Sequence, residues 1–169
     1  SEMCIRDRSS PMLKEYYDTE WGLPIFDEAA LYERLSLESF QSGLSWAVVL
    51  KKREAFRAAF CDFDPEKVAQ FTETDVERLL GDASIIRNET KIRAAITNAK
   101  ATIALREEGG LAEFIWSFQP PENLYPTAME DIPKKSYESK LMSRELKKKG
   151  FRFVGPVTCF ALMEAIGMI

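Results

Sequence analysis

The chain has 169 residues, 46% of them hydrophobic, which is enough to bury the core of one compact domain or of two small lobes that share an interface. It contains no histidine, and this excludes Ser/His and Cys/His catalysis and any His-ligated metal. The formal net charge of -4 does not by itself indicate a nucleic-acid partner, but the basic residues are clustered, at 51–57, 86–93 and 146–152.

Neither a membrane span nor a disulfide framework is indicated. No apolar run approaches the roughly 18 residues that cross a bilayer, and the N-terminus lacks the apolar centre of a secretory signal. We therefore expect a cytoplasmic protein with no membrane partner. The three cysteines, Cys4, Cys61 and Cys159, have no paired spacing, which favours reduced thiols.

The first half of the chain is predicted to be helical, because apolar residues recur at intervals of three and four. Its helix starts are marked by capping residues. Asp27 is predicted to cap a helix that ends at about Phe40, and Ser45 is predicted to cap one that ends at about Phe60. Asp64 is the next predicted cap, with Pro65 in the first turn. Thr74 is the last, with Glu77 at capping-box spacing and Gly81 as the end of the helix.

The second half continues the helical pattern. A long helix is predicted at about 88–106, ended by two glycines, and a short one covers "LAEFIWSF". Residues 119–133 are rich in proline and predict a loop. Two helices close the chain, at about 136–149 and 156–167, and "GFRFVG" joins them. No strand alternation is present, so the fold class is all-α.

The segment "KKKGFRFVGP" has the pattern of a helix, a tight turn between Gly150 and Gly155, and a second helix that begins near Pro156. Such a hairpin can direct free backbone N–H groups and a helix dipole at a phosphate, and the lysines at 147–149 add charge together with Arg152. It is therefore either a clamp for DNA of any sequence or an ordinary helical hairpin with a solvated basic face.

A carboxylate lies on the apolar stripe of the second predicted helix. Leu31 and Leu35 are one turn apart, and the same stripe reaches Glu38 three residues later. Glu38 is either half of a partly buried ion pair or a charge placed inside a pocket. Four aromatic residues can converge with it, although each alone is more typical of a core: Tyr16, Tyr17, Trp21 and Trp46. Gly43 and Leu44 form a small kink that can enter a base stack or simply turn the chain.

From about Pro11 onward the chain resembles one family closely. The resemblance rests on the order and spacing of "YYDTEWGLP", "LESFQSGLSW", "VLKKREAFRAAF", "FDPEKVA", "IIRNETKI", "WSF" and "LKKKGFRFVG". These segments are similar to those of the DNA-3-methyladenine glycosylase I family, within the helix-hairpin-helix DNA glycosylase superfamily. The resemblance implies a base pocket between two helical lobes and a helix-hairpin-helix element at about 136–167.

The same resemblance implies a monofunctional enzyme of base-excision repair. It would flip 3-methyladenine out of alkylated double-stranded DNA and release it by hydrolysis, with no lyase step. A bacterial-type cytoplasmic protein, bound to the nucleoid when on DNA, is expected, and a monomer is the default. No lysine is assigned a Schiff-base role, since no pattern marks Lys51, Lys52 or Lys91 for it.

Carried over onto this sequence, the resemblance assigns the catalytic, base-binding carboxylate to Glu38. The pocket tyrosine falls on Tyr16, and the stacking tryptophans fall on Trp21 and Trp46. The DNA contacts fall on two segments. The first is the kink at Gly43 and Leu44, which would enter the base stack as a wedge. The second is the hairpin, with Lys149, Gly150, Phe151, Arg152, Phe153, Val154 and Gly155. Glu38 is then expected to accept hydrogen bonds from the flipped base, and its field is expected to favour a cationic ring.

This chain departs from the family at several positions. Family members usually hold a structural zinc through an early Cys, a His beside the pocket tyrosine, and a late His and Cys. Here Tyr17 replaces the first His, the late ligands are absent and Cys4 alone remains, so we predict no metal and no other cofactor. Leu13 stands where tyrosine is common. "EMCIRD" resembles a translated sequencing adaptor, so we expect 1–8 to be a non-native leader and 9–169 a single domain truncated at its end.

Two other interpretations stay open on the sequence. One is a helix-hairpin-helix protein that binds DNA but has lost catalysis through its altered N-terminus, and the other is an interaction domain with no DNA role. The joint presence of Glu38, Tyr16 and Trp46 favours the active glycosylase over the first of these. The basic hairpin disfavours the second.

Overall fold

The computed structural model describes residues 10–121 and 134–169. Within these ranges the chain is helical without any strand, which confirms the all-α prediction. The helices are α1 (Pro11–Thr19), α2 (Glu28–Gln41), α3 (Trp46–Lys51), α4 (Arg53–Ala59), α5 (Pro65–Ala69), α6 (Glu73–Leu80), α7 (Glu89–Leu105), α8 (Leu111–Trp116), α9 (Tyr137–Lys148) and α10 (Pro156–Ala165). The expected leader and most of the proline-rich loop lie outside the described residues. No helix in the described part is long and apolar enough to cross a membrane.

Side-chain caps begin several helices where the sequence predicts them. The Asp27 carboxylate accepts a hydrogen bond from the Ala30 N–H at the start of α2 (2.9 Å). Ser45, Asp64 and Asn88 accept equivalent bonds at the starts of α3, α5 and α7. Each cap satisfies an N–H group that has no partner within its helix. These starts were predictable because a cap and its partner lie within three residues of each other.

The single helix predicted after Ser45 is wrong, because α3 and α4 are separated at Lys52. The Lys52 N–H bonds to the carbonyl three residues back (3.0 Å), which tightens the end of α3. Beyond this break the side chains of Arg53 and Arg57 both reach Glu33 on α2. The break therefore accompanies a long-range contact that the local sequence pattern does not show.

The capping box of α6 also lies two residues earlier than predicted. Thr72, and not Thr74, is the N-cap, and the Asp75 carboxylate accepts a bond from the Thr72 N–H (2.9 Å). Two overlapping threonine-to-acid patterns are present in this segment. The earlier one caps a longer helix, and Gly81 ends it as predicted.

Helix α2 lies at the centre of the fold and is buried on every side. The apolar stripe that carries Leu31 and Leu35 is confirmed, but all residues from 31 to 40 are buried, including those on the opposite face. Helices α3, α7, α8 and α10 pack around it. A polar group at such a depth is costly unless it is hydrogen-bonded or paired. The polar residues of α2 therefore call for partners or a function.

Helices α9 and α10 form the predicted helix-hairpin-helix element. Gly150 adopts φ +98°, and the N–H of Phe151 bonds back to the Leu146 carbonyl (3.1 Å), as in a Schellman motif. Phe153 also has a left-handed φ of 58°, which a bulky residue rarely adopts. The far end of α10 is tied to the chain after α1 by a backbone hydrogen bond from Gly22 (2.8 Å).

Candidate active site

A cleft of about 550 Å³ opens between the C-terminal end of α2, the start of α3 and one face of α10. Its lining includes four of the residues assigned from the sequence, Glu38, Gly43, Leu44 and Trp46. It also includes Glu164, which was not assigned. Its size lies in the range of cavities that hold small ligands.

The corner between α2 and α3 brings these residues together. Gly43 turns the chain with φ +81°, a conformation that strains other residues, and Ser45 then caps α3. Glu38 on the last turns of α2 and Trp46 at the first position of α3 consequently line the same space. Glu38 is only 2% exposed. A charge at such a depth is poorly screened by bulk water.

Four aromatic rings form a continuous row that starts at the cleft. Ring centroids are 5.3 Å apart between Trp46 and Tyr16, 5.3 Å apart between Tyr16 and Tyr17, and 6.1 Å apart between Tyr17 and Trp21. Of the four, Trp46 belongs to the cleft lining. Tyr16 lies behind it, and Trp21 is at the far end of the row. Direct contact of Tyr16 or Trp21 with a base stays a prediction.

Tyr16 is held by a buried arginine. The Arg34 guanidinium donates a hydrogen bond to the Tyr16 hydroxyl, and its carbon lies 5.1 Å from the centre of the Tyr16 ring. Burial raises the pKa of Tyr16, and the nearby Glu38 charge raises it further while Arg34 lowers it. Tyr16 is thus a neutral phenol at physiological pH. Because its oxygen accepts from Arg34, its own proton is available to another acceptor.

A charged network continues from Arg34 to the far side of α2. Arg34 lies 3.8 Å from Glu20, and Glu20 binds Arg53 at 2.8 Å. Arg53 and Arg57 both bind Glu33 at 2.9 Å. These pairs compensate the burial of Glu33 and Arg34, which would otherwise be strongly destabilising. Sequence reasoning missed the network because its members come from three separate segments.

The second carboxylate of the cleft, Glu164, lies near the end of α10. Its Oε1 is buried and has no hydrogen-bond partner within residues 10–121 and 134–169. Burial raises the pKa of Glu164 from its ordinary value of 4.5 to about 7. A signal for this residue did exist, because Glu164 is the only charged residue between 153 and 169.

Two polar side chains, one on α7 and one on α2, form hydrogen bonds with the backbone of the hairpin. The Asn98 side chain on α7 accepts from the Arg152 N–H (2.7 Å) and donates to the Arg152 carbonyl (2.9 Å). The Ser39 hydroxyl, next to Glu38 on α2, bonds to the Phe153 carbonyl (3.0 Å). Asn98 is 1% exposed and Ser39 is 5% exposed. The hairpin backbone is therefore positioned directly by the helix that carries Glu38.

A buried lysine holds the end of α2. Lys91 donates from Nζ to the carbonyls of Phe40 (2.9 Å) and Ser42 (2.6 Å), which stand at the C-terminal end of the helix dipole. Burial lowers the pKa of Lys91. Both bonds are structural, and Lys91 does not belong to the cleft lining. That no lysine has a Schiff-base role stays a prediction.

The hairpin presents its assigned residues in different ways. Lys149 is paired with Glu108 (2.5 Å), while Arg152 and Phe153 are exposed. Two of the assigned residues have side chains fully buried in the core, namely Phe151 and Val154. Those two can meet a ligand only through their backbone. The hairpin residues lie outside the lining of the cleft and form a separate surface.

The described side chains do not fit the family's zinc. Tyr17, which stands in the place of a histidine ligand, is 6% exposed and packs between the rings of Tyr16 and Trp21. Residues 10–121 and 134–169 contain no group of three or more His, Cys, Asp or Glu side chains placed to hold a metal ion. A phenol among aromatic rings is not a usual zinc ligand. The lack of a metal in the whole chain stays a prediction.

A buried carboxylate and a tryptophan in one cleft, beside a helix-hairpin-helix element in an all-helical fold, are the features of a helical DNA glycosylase. The sequence profile for methyladenine glycosylase matches residues 6–169, and the chain belongs to this family. The resemblance noted in the sequence is therefore confirmed.

Individual relatives agree with this assignment. The DNA-3-methyladenine glycosylase 1 of Escherichia coli (strain K12) is 44% identical over 171 residues, which cover 99% of this chain and 91% of that protein. A crystal structure of 3-methyladenine DNA glycosylase I (TAG) has a TM-score of 0.93 at 42% identity, covering 98% of this chain and 92% of the other. A tyrosine-to-phenylalanine variant of TAG in complex with 3-methyladenine has a TM-score of 0.92 at 36% identity, covering 99% and 92%.

Proposed function

We propose that this protein is a monofunctional DNA-3-methyladenine glycosylase, which flips the alkylated base out of double-stranded DNA and hydrolyses its N-glycosidic bond. Membership of the methyladenine glycosylase family supports the enzyme class. The observation that carries the proposal is the convergence of Glu38 and Trp46 on one cleft. No lyase step and no metal take part.

In this mechanism Glu38 acts mainly through its charge. Methylation at N3 makes the base cationic and weakens its glycosidic bond. The Glu38 carboxylate accepts hydrogen bonds from the edge of the flipped base, and its poorly screened field favours the cation. Water adds to C1′ of the sugar and gives up a proton, while the C1′–N9 bond breaks and leaves its electron pair on the base. The base thereby departs as a neutral molecule.

Trp46 supplies the face on which the base stacks. A cationic ring is attracted to the face of a tryptophan, and this adds to the dispersion contact. The neighbouring Tyr16 ring, fixed by Arg34, keeps the indole of Trp46 in place. Trp21 supports the other end of the aromatic row through Tyr17.

DNA is bound at two places around the cleft. Gly43 and Leu44 enter the gap that the flipped nucleotide leaves in the stack. The hairpin backbone from Gly150 to Gly155 contacts phosphates, with Arg152 and Lys149 adding charge. In this arrangement Lys149 exchanges its partner Glu108 for a phosphate. The protein acts as a cytoplasmic monomer on the bacterial nucleoid.

The direct test is release of the free base. Purified protein is incubated with methylated duplex DNA, and 3-methyladenine is measured by chromatography. We expect release by the wild type and a loss of about 100-fold in Glu38→Gln, the scale found when a preorganised electrostatic contact is removed. Glu77→Gln, the same change at an exposed position on α6, is the control and keeps full activity.

Each other outcome has a definite meaning. DNA binding without base release by the wild type would identify a helix-hairpin-helix binding protein instead of an enzyme. Equal release by the wild type and Glu38→Gln would remove Glu38 from its role.

A further inference from the structure

The cleft carries a carboxylate on each of two opposing helices. Glu38 comes from α2, while Glu164 comes from α10. On α10 the residues Val157, Ala161 and Glu164 recur at intervals of four and three, so they share one helix face, and all three line the cleft. Val157 is exposed. At a rise of 1.5 Å per residue, Glu164 lies about 10 Å deeper along the helix than Val157.

Among the residues that the structure describes, one oxygen of Glu164 has no partner. Its Oε1 is buried and accepts no hydrogen bond from them. The charged side chains that line the cleft with it are Glu38, of the same sign, and Lys134, an exposed residue ahead of α9. No ion pair joins Glu164 to a cation in the described part of the chain. Unsatisfied groups of this kind are rare and are frequently functional.

We propose that Glu164 is a second base-binding carboxylate, which contacts the cationic ring of the flipped base from the α10 side and makes the cleft select cationic over neutral purines. This inference rests on the proposed function, since it takes the ligand of the cleft to be an alkylated base. Glu38 and Glu164 then hold the ring between two negative groups, with Trp46 against its face.

The proposal couples base binding to proton release. In the empty cleft the pKa of Glu164 is about 7, because burial disfavours the charged form. A cation within about 4–6 Å of a carboxylate lowers its pKa by about 1–3. A cationic base therefore expels the proton from Glu164. By linkage, the affinity for that base rises at least about tenfold as the pH increases from 5.5 to 8.5.

Calorimetry with a small cationic probe tests this without DNA or catalysis. The probe is 3,9-dimethyladeninium, which stays cationic across the range, and the matched neutral probe is 9-methyladenine. Binding at pH 7 is measured in buffers of different ionisation enthalpy, so that the number of protons released can be counted. We expect the wild type to release a substantial fraction of one proton with the cationic probe and none with the neutral one.

The variant Glu164→Gln has the same shape and cannot titrate. It is expected to release no proton and to lose the rise in affinity with pH, so that at pH 8.5 it binds the cationic probe at least about tenfold more weakly than the wild type. Glu77→Gln is the control and behaves like the wild type. Retention of proton release by Glu164→Gln would overturn the proposal, and so would pH-independent binding or no binding of the probe by the wild type.

The proposed function and this inference fail separately. If the wild type releases 3-methyladenine from DNA but Glu164→Gln shows an unchanged proton count, only the role of Glu164 is lost. A wild type that binds the cationic probe with proton release, but does not release the base from DNA, keeps the role of Glu164 in binding and loses the catalytic proposal.

Discussion

Glu164 should destabilise the folded protein at neutral and alkaline pH. In the unfolded chain its pKa is near 4.5, whereas burial raises the pKa in the fold to about 7. Between these values the folded state binds more protons than the unfolded state, so stability falls as the pH rises from about 4.5 to about 7. Below this window both states are protonated, and above it the full cost remains.

The size of this cost follows from the two pKa values. A difference of one in pKa corresponds to about 1.4 kcal/mol, so a rise from 4.5 to about 7 costs at most about 3.5 kcal/mol. The side chain keeps some contact with solvent, which screens the charge and reduces the figure to about 1–3 kcal/mol. Glu164→Gln removes the ionisation and is therefore expected to be more stable than the wild type by this amount at pH 8.

The measurement is urea unfolding of both proteins at pH 4.5, 6 and 8. The advantage of Glu164→Gln is expected to be close to zero at pH 4.5 and to grow through pH 6 to its full value at pH 8. Carboxylates far from Glu164 contribute equally to the two proteins, so they cancel in the difference. The same series with Glu77→Gln should show no trend with pH. A stability difference for Glu164→Gln that does not change with pH would refute the reasoning.

Two further predictions concern Lys91 and Asn98, which do not line the cleft but form hydrogen bonds with the end of α2 and with the hairpin. Lys91→Met removes two hydrogen bonds from the end of α2 and should lower both kcat/KM and the free energy of unfolding, the latter by about 1–3 kcal/mol. Lys100→Met, at an exposed position of α7, is the control, and equal effects would contradict the assignment. Asn98→Leu releases the backbone of Arg152 and should weaken binding to undamaged duplex DNA while leaving the affinity for free 3-methyladenine unchanged. Parallel losses of both affinities would indicate general misfolding instead.

Helix starts were predictable because their causes are local. Asp27, Ser45 and Asp64 each bond to an N–H two or three residues away, and such a pattern is visible in a short window of sequence. The break at Lys52 was not predictable, because it goes with contacts from Arg53 to residues about 20 or more positions away. Local rules therefore gave most of the helices, but they missed α1 (Pro11–Thr19) and the place where the helix after Ser45 is interrupted.

The candidate site likewise has some features that local sequence predicts and others that depend on long-range contacts. Glu38 and Trp46 could be assigned because the segments that carry them resemble those of the family, and the corner that joins them is short enough to be predicted from local sequence. The clamp of Asn98 on Arg152 joins positions 54 residues apart, and the bond from Ser39 to Phe153 joins positions 114 residues apart. Their polar groups stand on buried helix faces, which indicates that a partner exists, but the sequence does not identify the partner.

Glu33 and Glu164 differ in whether contacts within the fold compensate their charge. Glu33 and Glu164 are both carboxylates removed from bulk water on helices that pack into the core. Glu33 meets Arg53 and Arg57, so its charge is compensated within the fold and its role is structural. Glu164 is the one charged residue of α10, and its Oε1 has no hydrogen-bond partner among the described residues, so its burial costs stability. A group of this kind persists most readily where a ligand supplies the missing charge, and in our proposal the cationic base is that ligand.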